Sequence, residues 1–207
     1  MGTQFNGINR LGENFSLSGD GNTLAIHDKY DSKAKIYTWN GSTWSQIGNI
    51  STVLVVDGYD TNRGAGIKLN YDGTKVIIGE KKKDVLSIYT YSGNSWGSKK
   101  EISNVDGERF ANDVSLSKDG NTLAISVDSS VVGSSQSLVR IYSWNGSSWV
   151  QKGEKIIGEY SLGDALKLND DGSIIIIGTP RANVTAGNYS GKVSIYKWKD
   201  SKWSQLG

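Results

Sequence analysis

The segment "SLSGDGNTLAI" at residues 16–26 returns almost unchanged at 115–125 as "SLSKDGNTLAI". A near-copy at this distance means that the chain is built from repeated units, and repetition constrains the fold more than any local propensity does. Asp-Gly pairs mark each unit, at Asp20-Gly21, Asp72-Gly73, Asp119-Gly120 and Asp171-Gly172, spaced by 52, 47 and 52 residues. A short alternating segment precedes each pair: "FSLS" (15–18), "IKLN" (67–70), "VSLS" (114–117) and "LKLN" (166–169). An apolar run follows each one: "TLAI", "KVII", "TLAI" and "IIII". After a loop of variable length come "KIYTW", "SIYTY", "RIYSW" and "SIYKW". A tight turn then leads to Trp44, Trp96, Trp149 or Trp203. Asp-Gly and Asn-Gly between β-rich runs favour hairpins, because the turn needs positive φ. Each unit therefore reads as four short antiparallel strands.

Four such units near fifty residues suit the blades of a β-propeller. The competing architecture is a β-sandwich, whose strands normally turn one face to water. The third strand argues for blades. In "AKIYTW", Ala34 and Ile36 point one way while Tyr37 and Trp39 point the other, so both faces are apolar. The expectation is an all-β, four-bladed β-propeller with four antiparallel strands per blade. The blades span approximately residues 10–50, 62–103, 109–157 and 161–207. Units one and three share "SLSxDGNTLAI" and "WNGSxW", while two and four share "KLNxDG" and "IIG", giving pseudo-two-fold blade pairs 1/3 and 2/4. The sequence opens and closes at the same phase of the repeat, so the ring is expected to close between units four and one. Residues 3–9 would assist that closure in a monomer. A longer array, or an eight-bladed ring made by two chains, are the alternatives.

Composition narrows the function. Twenty-six Gly against one Pro speak for tight turns rather than a Pro-rich linker. A net charge of +2 gives no reason to expect nucleic acid or an anionic membrane surface as partner. The absence of Cys excludes disulfides and thiolate zinc sites. No run of eighteen apolar residues occurs, so membrane insertion through a helix is not expected. His27, the single histidine, ends the second strand of unit one without a nucleophile motif beside it, and no catalytic residue is assigned.

With "SLSGDGNTLAI…IYTWNGSTW" and "LKLNDDGSIIIIGTPRANVTAGNYSGKVSIYKW" in view, the chain resembles the FG-GAP-like propeller repeats. These occur in integrin α chains and in bacterial, algal and large-virus proteins of unknown role. The resemblance implies blade architecture and little about activity. FG-GAP blades often hold calcium through closely spaced Asp and Asn, since that cation takes six or more oxygens. The turns "GDGN", "YDGT", "KDGN" and "DDGS" offer one or two carboxylates each, so no metal and no cofactor are carried over.

What the repeat leaves unexplained points to a working face. The loops between second and third strands differ: "HDKYDSK" (27–33), "EKKKD" (80–84), "VDSSVVGSSQS" (127–137) and "TPRANVTAGNYSG" (179–191). In a propeller they share a face with the connections between blades, and loops on a rigid scaffold commonly carry function. The candidate binding face is Arg10, His27, Tyr30, Tyr59, Arg63, Lys82, Arg109, Tyr160, Arg181 and Tyr189. Tyr and Arg are enriched at binding hot spots. The expected function is a non-enzymatic binding or structural module presenting this face to a protein partner, in a surface or particle assembly. The alternative is a glycan-binding propeller using Tyr and Trp platforms. The Trp pairs 39/44, 144/149 and 198/203, and Tyr91 with Trp96, read first as cross-strand packing.

Overall fold

The computed structural model describes residues 5, 11, 14–28, 33–51, 66–80, 85–103, 109–128, 136–159, 161–182 and 190–207. Their strands form four antiparallel sheets, each taken from one sequence repeat. The first contains β1 (Asn14–Leu17), β2 (Thr23–Asp28), β3 (Lys33–Trp39) and β4 (Trp44–Ser51). The second contains β5 (Ile67–Leu69), β6 (Lys75–Glu80), β7 (Val85–Tyr91) and β8 (Trp96–Ser103). The third contains β9 (Arg109–Leu116), β10 (Thr122–Asp128), β11 (Gln136–Trp144), β12 (Trp149–Gln151) and β13 (Ile156–Glu159). The fourth contains β14 (Ala165–Leu168), β15 (Ile174–Thr179), β16 (Lys192–Lys199) and β17 (Lys202–Gln205). Neighbours in sequence are neighbours in each sheet. In the third sheet β12 and β13 both pair with β11 and together act as one interrupted outer strand. The interruption has a local cause. The path from Trp149 to Ile156 is one residue longer than from Trp44 to Ile50, and Gly153 takes a φ of 78° there.

The repeated turn explains its own sequence. Gly21, Gly73, Gly120 and Gly172 have φ of 77°, 70°, 65° and 66°, which side chains other than glycine seldom adopt. In blades 1 and 3 a serine hydroxyl bridges the hairpin. Ser18 Oγ accepts from the Thr23 amide at 2.8 Å and donates to Asp20 at 2.5 Å. Ser117 does the same with Thr122 and Asp119, at 2.9 and 2.6 Å. In blades 2 and 4 an asparagine takes that place: Asn70 Oδ1 accepts from the Lys75 amide at 2.8 Å, and Asn169 Oδ1 from Ile174 at 2.9 Å. The turns are also joined to one another. The Asp20 amide donates to the Tyr71 carbonyl, Tyr71 to Lys118, and Lys118 to Asp170, at 3.0, 3.2 and 2.9 Å.

Each sheet is apolar on both faces, and the faces pack in series. Blade 1 turns Ala25, Ala34, Ile36 and Ile50 toward Ile67, Leu69, Val76 and Ile78 of blade 2. Blade 2 turns Ile77, Leu86, Ile88 and Ile102 toward Val114, Leu116, Leu123 and Ile125 of blade 3. Blade 3 turns Ala124, Val139, Ile141 and Ile156 toward Leu166, Leu168, Ile175 and Ile177 of blade 4. The alternation between blade types has a polar counterpart. Ser16 Oγ accepts from the Leu69 amide, and Ser115 Oγ from the Leu168 amide, both at 2.9 Å. Between blades 2 and 3 that serine is replaced by Lys68, whose Nζ lies 3.5 Å from Asp113.

The expected closure between blades four and one is not made among the described residues. Phe15 and Leu17 are 64% and 54% exposed, whereas their counterparts Ile67, Leu69, Val114, Leu116, Leu166 and Leu168 are all buried. At the other end Ile176, Val193 and Ile195 are 44%, 70% and 37% exposed, while Ile77, Leu86 and Ile88 at the same positions of blade 2 are buried. Among the described residues no neighbouring sheet covers these side chains. These side chains sit where identical positions in other blades face the next blade, and nothing described faces them. Burying an Ile, Leu or Phe side chain stabilises by about 1.5–3 kcal/mol, so the two end faces forgo several kcal/mol. Of residues 3–9 only Phe5 is described. Its ring lies 4.7 Å from Tyr37 and 6.1 Å from Trp44, covering the outer part of blade 1.

Blade contact is close enough to exclude a methyl group. A Cβ at Gly48 would lie 2.5 Å from Trp96 Cδ1 of the next blade. Gly48→Ala should therefore lower stability by about 1–3 kcal/mol, read as a drop in the urea midpoint. An unchanged midpoint would show that the 1/2 contact is looser than this structure has it.

Candidate functional site

The two ends of the blades differ in kind. At the Asp-Gly end the aspartate before each glycine is committed to its own turn. Asp72 accepts from the Thr74 amide at 2.9 Å, the Thr74 hydroxyl at 2.6 Å and the Asn70 amide at 2.8 Å. Asp119 accepts from Ser117 and Asn121, and Asp171 from Ser173. Burial pulls Asp20, Asp72 and Asp119 upward, but these hydrogen bonds outweigh it and hold their carboxyls below the ordinary range. Asp171 is fully exposed and is lowered mainly by its hydrogen bonds from Ser173. Among the described residues no group of three or more His, Cys, Asp or Glu stands together as a metal site would require.

At the opposite end lie the described members of the candidate binding face. His27 sits near the end of β2, half-buried, in register with Asn14 and Ala34 on the side toward blade 2. Arg109 opens β9 opposite Asp128. Arg181 follows β15 in an exposed turn, with its amide donating to Ser161 Oγ at 3.0 Å. All three belong to the same end of their blades, where first strands begin and second strands finish. Arg10, Tyr30, Tyr59, Arg63, Lys82, Tyr160 and Tyr189 lie outside the described residues. So do most of the loops proposed as the working surface.

The aromatic pairs are formed as the sequence implies. Ring centroids are 5.6 Å apart for Trp39/Trp44, 5.2 Å for Tyr91/Trp96, 5.8 Å for Trp144/Trp149 and 5.4 Å for Trp198/Trp203. Their surroundings are not equal. At the first and third junctions these aromatics close over a glycine: Trp96 over Gly48, and Trp198 with Trp203 over Gly153. Trp203 also donates its indole N–H to the Lys152 carbonyl at 2.9 Å. At the second junction the glycine is replaced by Lys100, which pairs with Ile88 just as Gly48 pairs with Ile36. There a pocket of about 400 Å³ opens between blades 2 and 3. Lys75, Ile88, Thr90, Lys100, Trp144 and Trp149 line it.

Lys100 Nζ lies 5.8 Å from the Trp144 ring, within cation–π range. Lys75 reaches across the junction, donating to Asn121 Oδ1 at 2.5 Å and to the Asp119 and Gly120 carbonyls at 3.3 and 3.2 Å. Burial lowers the Lys75 ammonium from its usual range, against the opposing pull of Asp119 and Asp72. The pocket thus offers indole faces, an exposed ammonium and hydroxyl-bearing neighbours, which suit a sugar ring or an organic anion. Sequence reasoning did not find it, although the signal was present. Three units read "WSQIG", "WVQKG" and "WSQLG", and only unit two breaks the pattern with "WGSKK".

Sequential four-stranded antiparallel sheets, packed face to face with inner strands side by side, define a β-propeller fold. Known structures agree. The Dos1 propeller matches with a TM-score of 0.57 at 12% identity, over 92% of this chain and 45% of its own. A proposed 6-phosphogluconolactonase from Bacteroides uniformis matches with a TM-score of 0.60 at 13% identity, over 91% of this chain and 51% of its own. A protein from Lactobacillus plantarum matches with a TM-score of 0.59 at 12% identity, over 93% and 53%. The chain spans about half the length of these structures, and identities this low establish the fold alone. No protein-family profile and no curated protein sequence matches the chain.

The depressed aspartates set an acid limit. A carboxyl held below its unfolded value near 3.9 stabilises the fold above that pH, and the contribution disappears as pH falls through the folded value. The denaturant midpoint should therefore fall steadily as pH drops from about 4.5 toward 2.5. Asp72→Asn with Asp119→Asn should flatten this decline. An acid limb identical to the parent's would show that these carboxyls are not its source.

Proposed function

We propose that the chain is a non-enzymatic binding or structural module of four propeller blades, related to the FG-GAP-like repeats, that presents its loop end to a protein partner. The observation carrying this reading is the contrast between the two blade ends. The Asp-Gly end repeats one hydrogen-bond pattern four times and ties adjacent turns together. The other end carries connections that differ in length and chemistry from blade to blade, on strands held in place by that framework. Such a division suits a rigid scaffold with a variable recognition surface. Arg10, Tyr30, Tyr59, Arg63, Lys82, Arg109, Tyr160, Arg181 and Tyr189, with His27, are the residues of that surface, and neither catalysis nor a cofactor is assigned to them.

The glycan-binding alternative is favoured by one specific feature, the Trp144/Trp149 pocket with its Lys100 rim. The two readings make different demands. A photo-crosslinking residue at position 30 or 189 should capture a discrete protein from the source organism, and Arg181→Ala with Tyr160→Ala should reduce that capture several-fold without shifting the melting temperature. No capture, together with glycan-array binding lost in Trp144→Ala, would replace the protein-partner reading by the sugar reading.

A further inference from the structure

We infer that the bare faces at the two ends of the blade series bind a second copy of this chain head to tail. The forward face of blade 4 would pack on the rear face of blade 1 of the partner, and the reverse contact would close a two-chain ring of eight blades. This goes beyond the loop-end reading, because it concerns the sides of the end blades rather than their loops. The blade 2/3 interface is a template for the contact. Blade 4 shares its repeat type with blade 2 and presents Ile176, Val193 and Ile195 where blade 2 presents Ile77, Leu86 and Ile88. Blade 1 shares its type with blade 3 and presents Phe15 and Leu17 where blade 3 presents Val114 and Leu116. The 2/3 interface buries these positions in one cluster. Each copy thus carries both halves of a contact that its own middle already makes.

The polar positions correspond as well. Lys167 stands where Lys68 pairs with Asp113 of the next blade, and Asn14 stands where Asp113 does. A lysine facing an asparagine leaves the contact free of like-charge repulsion. Geometry selects two copies over closure within one chain. Among the described residues the four blades make three interfaces and leave the fourth open. They superpose on propellers of which they fill about half. Two half-rings related by a two-fold axis complete a closed heterologous ring, which removes every exposed face.

The test is the mass of the 207-residue chain in solution by sedimentation equilibrium between about 1 and 100 µM. Twice the chain mass is expected. Val193→Asp and Phe15→Asp each place a carboxylate in both contacts and should weaken association at least about 100-fold. Both side chains are exposed in a single copy, so the melting temperature of the separated chains should stay where the parent's lies at high dilution. An equimolar mixture of the two variants should regain a dimer, because one of its two contacts is free of either substitution. Asn14→Asp should tighten association about two- to fivefold at low salt through Lys167. A parent that remains a monomer at 100 µM, one that grows without limit, or variants that dimerise like the parent would each overturn the inference.

Discussion

A sheet that is apolar on both faces cannot stand alone in water, and everything else in this fold follows from that. Val139 and Ile141 face blade 4 while Tyr142 faces blade 2, and Ile88 and Tyr89 divide in the same way between blades 3 and 1. One blade therefore requires a second, and the second requires a third. Stability in such an array is a sum over adjacent pairs, much as in stacked repeat proteins, and its weak points are the ends. The Asp-Gly turns serve this arrangement by fixing where each sheet begins. Their backbone links from Asp20 to Tyr71, Lys118 and Asp170 keep the inner strands in step.

The pairing of blade types is part of the same economy of contacts. Blades 1 and 3 offer a serine hydroxyl to the inner strand that follows, and blade 2 offers a lysine instead. The fold thus uses two junction chemistries in alternation. One accepts a backbone amide through a small side chain, and the other uses a charge pair. The replacement of Gly48 and Gly153 by Lys100 belongs to the second kind. Lys100 lines the Trp144/Trp149 pocket between the outer hairpins of blades 2 and 3.

Much of this was legible in the sequence because it is local. The turn needs Gly21 for its φ and Asp20 for its amides, so both recur at fixed spacing. The cross-strand rings recur for the same reason, since Trp39 and Trp44 are opposed by a four-residue turn. Closure was not legible. Val193 and Ile195 read like Val139 and Ile141, and only the presence or absence of a neighbouring sheet makes one pair exposed and the other buried. The pocket was missed because a single lysine in place of glycine looks like a surface substitution until the facing tryptophans are placed. His27 and Arg181 could be assigned to one blade end from strand order, but strand order says nothing of what their side chains meet.

Hydrogen–deuterium exchange followed as a function of protein concentration addresses the dependence of each blade on its neighbours most directly. The account predicts that β10 and β11, covered on both sides, keep the same protection at every concentration. Amides of β1, β15 and β16 should exchange faster when dilute and gain protection as concentration rises. Equal protection of end and middle blades in dilute protein would contradict it, since sheets bare on one side would then be as stable as sheets covered on both.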